Sequence, residues 1–210
     1  MSEKQPSASK ISFGYNLAYS LVWVLFNLLY RIRITGKENI PENASLICAN
    51  HSALTDPFYI ALAYGKKRQL RIVAKAELFR IPVLSSFLRG LGMISVDRDA
   101  ADVKSVKAIL RCLKAGDTVA LFPEGTRSRH DFEVPAKHGA VKLAEHANVP
   151  IVPMNIPRRK PLFGKINITI GQMYHISKQK EKRTSEEYTE LADIMMKKIN
   201  MLNPKAKVTT

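Results

Sequence analysis

Acidic residues are scarce in this chain: 18 Asp and Glu stand against 33 Lys and Arg, leaving a formal net charge of +15 over 210 residues. That imbalance calls for an anionic partner, whether a lipid surface, a phosphate or a nucleic acid. Cysteine is nearly absent. The two present, Cys48 and Cys112, lie in apolar surroundings without framework spacing, which excludes a disulfide scaffold and suits thiols in a reducing compartment. Histidine is almost as sparse; His130, His138, His146 and His175 show no ligand spacing, and His138 and His146 are eight apart with no cysteines or carboxylates in a metal pattern, so no metal site is expected. The sequence has no Gly-x-Ser-x-Gly elbow, so an α/β-hydrolase type of serine nucleophile is not expected. It also lacks internal repeats and any recognised nucleic-acid-binding motif, which sets nucleic acid aside as the anion.

Charge is missing altogether from residues 11–30, where fifteen of twenty positions are apolar or aromatic. As a helix this stretch would be about 30 Å long, enough to span a bilayer. No small-residue cleavage site precedes Arg31-Ile32-Arg33, which argues against a removed leader. Around the axis Ser12, Asn16, Ser20 and Asn27 share one wedge with Trp23, and Phe13, Leu17, Leu21, Val24, Leu25 and Leu28 form an apolar face. The pattern predicts a helix lying in one leaflet, or packed by its polar stripe on the rest of the protein. A true span and a buried helix of a soluble protein are the competing readings. Basic clusters at Lys66-Lys67-Arg68, Arg158-Arg159-Lys160 and 178–183 add attraction to anionic lipid, about 1 kcal/mol per basic residue near the surface.

Beyond that helix, strand-like runs fall near 31–35, 45–50, 70–74, 93–97, 118–122, 150–156 and 165–174. Helical periodicity is clear at 103–113 and 188–202. The alternation predicts one α/β domain over 31–203, with a mostly parallel or mixed central sheet covered by helices and preceded by the membrane-associated helix at 11–30. Residues 1–10 and 204–210 are expected to be loosely ordered. The apolar stretch 78–88 could line a tunnel for an acyl chain or touch lipid, or simply pack in the core. Pro82 should break or kink it.

Two short segments carry candidate chemistry. In Asn50-His-Ser-Ala-Leu-Thr-Asp56 a histidine precedes an aspartate by five positions. On one helix they would point roughly 140° apart, so they can meet only if the chain turns between them. Asp56-Pro57 supplies a turn, Asp as N-cap and Pro as first helical residue. A strand, a loop carrying His51 and a helix from Asp56 would let Asp56 accept one ring N–H while the other nitrogen takes a hydroxyl proton. A helix cap beside an ordinary loop histidine satisfies the same spacing. Phe122-Pro-Glu-Gly-Thr-Arg-Ser128 follows another apolar run; Gly125 allows close backbone approach and Arg127 offers a planar fork for an anion. Arg98 and Lys75 also sit at predicted strand ends, where open α/β sheets place ligands. Lys137-His138-Gly139 could touch the same ligand or be a solvated helix start.

The His51 and Asp56 spacing resembles the first signature of the glycerolipid acyltransferases. Gly92-Met-Ile-Ser-Val-Asp-Arg98, Phe122 to Ser128, and Val149-Pro-Ile-Val-Pro153 are similar to that family's second, third and fourth blocks, in the family's order. Ala74-Lys-Ala-Glu-Leu78 resembles a lysine-bearing segment between the first two. The likeness covers about residues 45–157 and is greatest to the small bacterial-type lysophosphatidic acid acyltransferases. It implies direct acyl transfer from a thioester to the sn-2 hydroxyl of lysophosphatidic acid, giving phosphatidic acid, with His51 as general base and Asp56 orienting it. Lys75, Arg98, Glu124, Gly125, Thr126 and Arg127 would bind substrate. Glu124 matches a position that meets the glycerol portion, though it could equally pair with an arginine. Backbone N–H groups at the Asp56 helix start are a candidate oxyanion site.

The resemblance implies no cofactor and no metal, an acyl carrier protein or coenzyme A thioester as co-substrate, and membrane phospholipid as a partner. Thioester donors place the domain on the cytoplasmic face of the inner or plasma membrane. The remaining alternatives are acylation of glycerol 3-phosphate or another lysophospholipid, and a non-catalytic lipid-binding protein.

Overall fold

The computed structural model describes residues 13–96, 103–131, 134–177, 179 and 181–204. Seven strands form one sheet: β1 (Arg31–Thr35), β2 (Leu46–Ala49), β3 (Leu70–Lys75), β4 (Ile94–Val96), β5 (Thr118–Leu121), β6 (Ile151–Asn155) and β7 (Lys165–Ile170). Their order is β1-β7-β6-β2-β5-β3-β4. Five of them, β6, β2, β5, β3 and β4, run parallel to one another; β7 pairs antiparallel to β6 and carries β1 parallel to itself. The central strands β2, β5 and β6 are buried at every position, as expected for parallel strands covered on both faces. The outer pair β1 and β7 alternates instead.

Helices cover both faces. On one side α1 (Phe13–Leu29) and α2 (Asp56–Tyr64) pack on the sheet, joined by Phe87 of α3 (Pro82–Gly90). On the other lie α4 (Val103–Lys114), α5 (Gly139–Ala147) and α6 (Ser185–Met201). A capping box starts α6: Thr184 Oγ1 accepts from Glu187 N at 3.2 Å and Glu187 Oε2 accepts from Thr184 N at 2.7 Å. The sequence reading began this helix at 188, and the Thr184…Glu187 spacing accounts for the earlier start.

The first helix corrects one expectation. Its polar wedge does not face the domain; Asn16, Ser20 and Asn27 are exposed. The packed stripe is Tyr15, Ala18, Val22 and Phe26, at helical spacing. Phe26 sits edge-on to Tyr59 at 4.9 Å and to Phe58 at 5.6 Å, and such aromatic pairs contribute about 0.5–1.5 kcal/mol each beyond area burial. Serine and asparagine offer nothing comparable, so aromatic packing sets the rotation of the helix. Among the described residues, no helix is long and apolar enough to cross a membrane. The 78–88 stretch is broken at Pro82, as expected: a 3-10 turn (Ala76–Arg80) ends, Ile81 is extended, and Pro82 stands in the first turn of α3, where its missing N–H is no loss.

Candidate active site

Four of the five parallel strands deliver polar side chains beyond their carboxyl ends, on one edge of the sheet. The chain leaving β2 carries Asn50, whose side-chain amide donates to Ile156 O and accepts from Ile156 N, both at 2.8 Å. This double bridge ties the end of β2 to the end of β6 and fixes the next residue, His51. The His51 ring is stacked on Phe122, centroid to centroid 4.0 Å, and is 8% exposed.

Asp56 meets it after the turn 52–55. Its Oδ2 lies 2.9 Å from His51 Nδ1 and accepts from Ser52 N at 2.6 Å and Ala53 N at 2.8 Å. Asp56 is therefore not the cap of its own helix. Thr55 occupies that position, and the carboxylate reaches back into the loop that precedes it. This reversed hydrogen bonding is what brings residues five apart together. Burial pushes the Asp56 carboxyl up, but the His51 hydrogen bond, the nearby Lys160 charge and the Ser52 N–H together hold it below the ordinary value. An ionised Asp56 accepts a hydrogen bond from the Nδ1–H of His51, leaving Nε2 as an acceptor.

The start of α2 is not an oxyanion site. Asp56 N donates to Ala53 O at 3.1 Å, and Phe58 N and Tyr59 N donate to Thr55 O at 3.0 and 3.4 Å. Pro57 has no N–H at all.

A cleft of about 470 Å³ opens beside His51, and Lys75, Gly125, Thr126, Arg127 and Lys137 line it. So the structure gathers His51 with Lys75, Gly125, Thr126 and Arg127 around one space. Gly125 has φ 67, in the left-handed region that favours glycine, and the Lys137 side chain lies directly beside it. Lys75 forms an exposed ion pair with Glu77 at 2.8 Å. Arg98 lies outside the described residues. A second cavity of about 770 Å³ shares Val73, Phe122, Gly125 and Lys137 with the cleft and continues between α4 and α5, past Val106, Ile109, Ala140 and Leu143. The 78–88 stretch is not its lining: Val83 is 84% exposed and only Leu78 reaches the cleft.

Glu124 turns away from the cleft into a buried ion-pair cluster. Arg158 Nη2 donates to Glu124 Oε1 at 2.7 Å and Arg158 Nε to Asp131 Oδ1 at 2.7 Å, while Nη1 donates to Ser128 O at 2.9 Å and His51 O at 3.1 Å. Burial raises the Glu124 carboxyl and the Arg158 fork opposes it. Lys160 lies one layer closer to the histidine. Its ammonium is 2.7 Å from Asp56 Oδ1 and 2.7 Å from Ser52 Oγ.

The sequence places Arg158 and Lys160 in a lipid-attracting surface cluster, and the structure corrects this. Both side chains are 7% exposed and spent on buried carboxylates; of the three only Arg159 is exposed. One signal was available: Asp56 and Glu124, placed beside apolar runs, need counter-charges, and two cations follow the β6 run directly. Among the described residues, no three His, Cys, Asp or Glu side chains gather where they could hold a metal ion.

A family model described as Acyltransferase matches residues 31–157. The chain is similar to the 1-acyl-sn-glycerol-3-phosphate acyltransferase of Bacillus subtilis, 33% identical over 168 residues, covering 77% of this chain and 82% of that protein. It is also similar to the protein of the same name from Borreliella burgdorferi, 33% identical over 142 residues, covering 64% of this chain and 54% of that one. The match thus spans most of the first relative and about half of the second. Among solved structures, the 1-acyl-sn-glycerophosphate (LPA) acyltransferase PlsC of Thermotoga maritima matches with a TM-score of 0.69 and 24% identity, over 92% of this chain and 81% of that one. At that identity the likeness speaks for the fold.

Proposed function

The chain belongs to the acyltransferase family, and we propose that it moves a fatty acyl chain from a thioester donor to the sn-2 hydroxyl of lysophosphatidic acid, forming phosphatidic acid. One observation carries this reading. His51 lines a cleft that also holds Arg127 and Lys75, and that cleft is continuous with an apolar cavity. A base, an anion site and room for a hydrocarbon chain therefore adjoin one another.

The chemistry follows from the dyad. His51 Nε2 takes the proton of the acceptor hydroxyl as its oxygen attacks the thioester carbonyl, and Asp56 stabilises the imidazolium that forms. The tetrahedral intermediate collapses, the C–S bond breaks, and the departing thiolate recovers the proton from His51. No covalent acyl-enzyme is required. Arg127, joined by Lys75, holds the acceptor phosphate through charge-assisted hydrogen bonds. A general base contributes about 10²–10⁴-fold, so positioning by these cations must supply much of the remaining acceleration.

The donor is an acyl carrier protein or coenzyme A thioester, either of which a surface of net charge +15 attracts. We place the protein on the cytoplasmic face of the membrane, with α1 lying in one leaflet. Support comes from the exposed row Phe13, Leu17, Leu21, Val24, Leu25 and Leu28, and from Leu162 and Phe163 beside its end, where Phe163 N donates to Leu29 O at 2.7 Å. Apolar groups of this kind enter the headgroup boundary.

The test offers purified protein in detergent micelles a long-chain acyl thioester of each type with lysophosphatidic acid, glycerol 3-phosphate or lysophosphatidylcholine. Phosphatidic acid formed from lysophosphatidic acid at the highest kcat/KM is the expected result. Turnover confined to another acceptor would transfer the reading to that substrate, and no turnover with any would leave a lipid-binding protein.

A further inference from the structure

Lys160 is a lysine that the site keeps out of water. Its side chain is 7% exposed, its ammonium stands 2.7 Å from Asp56 Oδ1, and it donates to Ser52 Oγ at 2.7 Å. Tyr59 presents its ring to the same ammonium at 5.8 Å from the centroid. Burying a lysine costs free energy unless its charge is answered, and here the answer is the carboxylate that orients His51. Oδ2 of that carboxylate is taken by His51 Nδ1, Ser52 N and Ala53 N, and Oδ1 is met by Lys160.

We propose that Lys160 is a positioning residue for acyl transfer: it clamps the second oxygen of Asp56 and balances its charge, which holds the His51 ring in place as the base. The inference rests on the acyl-transfer reading for its kinetic consequence, and on geometry alone for its effect on His51.

The charge balance makes the effect testable. On the buried side His51 is faced by Asp56 and Lys160, and by Glu124 and Arg158, the latter also paired with Asp131. On the cleft side stand Lys75, with its partner Glu77, and the cations Arg127 and Lys137. With every group ionised, the buried set holds three carboxylates against two cations. Removing Lys160 leaves an uncompensated Asp56 next to the imidazole, which favours the protonated ring. Burial depresses the Lys160 ammonium, and the Asp56 carboxylate opposes that by holding the charged form.

The experiment compares wild type with Lys160→Met and Lys160→Arg, each first checked for cooperative thermal unfolding. The pH profile of kcat is then measured, and so is carbethoxylation of His51 by diethyl pyrocarbonate, followed by peptide mass mapping. The acid limb of kcat in Lys160→Met should move to higher pH by about one unit, so that turnover near pH 6 falls about tenfold beyond any loss near pH 9. Modification of His51 should slow at pH 6 and recover at pH 8. Lys160→Arg should restore both profiles.

If Lys160→Met does not fold, Lys160→Gln, which keeps a donor for Ser52 Oγ, replaces it. A folded variant whose kcat drops evenly across pH, with unchanged modification of His51, would overturn the proposal and reduce Lys160 to packing. If wild type turns over no lysophosphatidic acid, the substrate reading fails, and the modification profile still decides the role of Lys160.

Discussion

Asp56 has no exposed surface, yet His51, Lys160 and two backbone N–H groups converge on its carboxylate. Because its carboxyl is held below the ordinary value, Asp56 stabilises the fold at pH above that of an unfolded aspartate, about 3.9, and the contribution is lost as pH falls through the lower folded value. Urea unfolding of wild type and Asp56→Asn should therefore differ at pH 6, and the difference should shrink below about pH 4; a gap independent of pH would argue against an ionised Asp56. Arg158 makes a separate prediction. Arg158→Ala strands Glu124 and Asp131, and removing one member of a buried pair costs about 3–5 kcal/mol, readable as a lowered urea midpoint. In the cleft, Arg127→Ala should raise KM for lysophosphatidic acid about tenfold or more with little change in stability, since Arg127 lines the cleft and is exposed rather than packed in the core.

At the scale of the element, α1 shows what pattern reading can and cannot deliver. Its existence was legible because residues 11–30 carry no charge and keep a helical period. Its rotation was not, because apolar residues occur on more than one side, and only the partners Phe58 and Tyr59 decide that Phe26 turns inward. Phe26→Ala should cost about 3–5 kcal/mol of stability, whereas Leu21→Glu with Leu25→Glu should leave unfolding unchanged and abolish binding to anionic vesicles in a sedimentation assay. Retained vesicle binding by the double variant would remove α1 from the membrane face. The cavity between α4 and α5 was hidden for a similar reason. The period at 103–113 predicts only a helix, and the position of α5 is what opens a space beside Val106 and Ile109. Ile109→Phe should shift the preferred acyl chain to a shorter one; an unchanged preference in a folded variant would assign that space to something else.

Across the whole molecule, the sequence was most informative where local and global signals agreed. The runs read near 45–50, 118–122 and 150–156 hold the strands β2, β5 and β6, since buried parallel strands are apolar throughout and stand out from their surroundings. The pairing of β7 with β1 and the reversal of β7 against β6 left no such trace, because register depends on partners distant in sequence. His51 and Asp56 were legible because a five-residue turn is a local event. Lys160 and Arg158 were not, since more than thirty cations compete for attention in a chain with 33 Lys and Arg and burial alone separates these two from the rest. What unites the pieces is the carboxyl edge of the sheet, where β2, β3, β5 and β6 all end. The most direct measurement is single-turnover acyl transfer from a long-chain thioester to lysophosphatidic acid in micelles, comparing wild type with His51→Ala. A folded His51→Ala protein that still binds lysophosphatidic acid but forms phosphatidic acid at least about 10²-fold more slowly is the expected result; turnover at the wild-type rate would show that His51 is not the base.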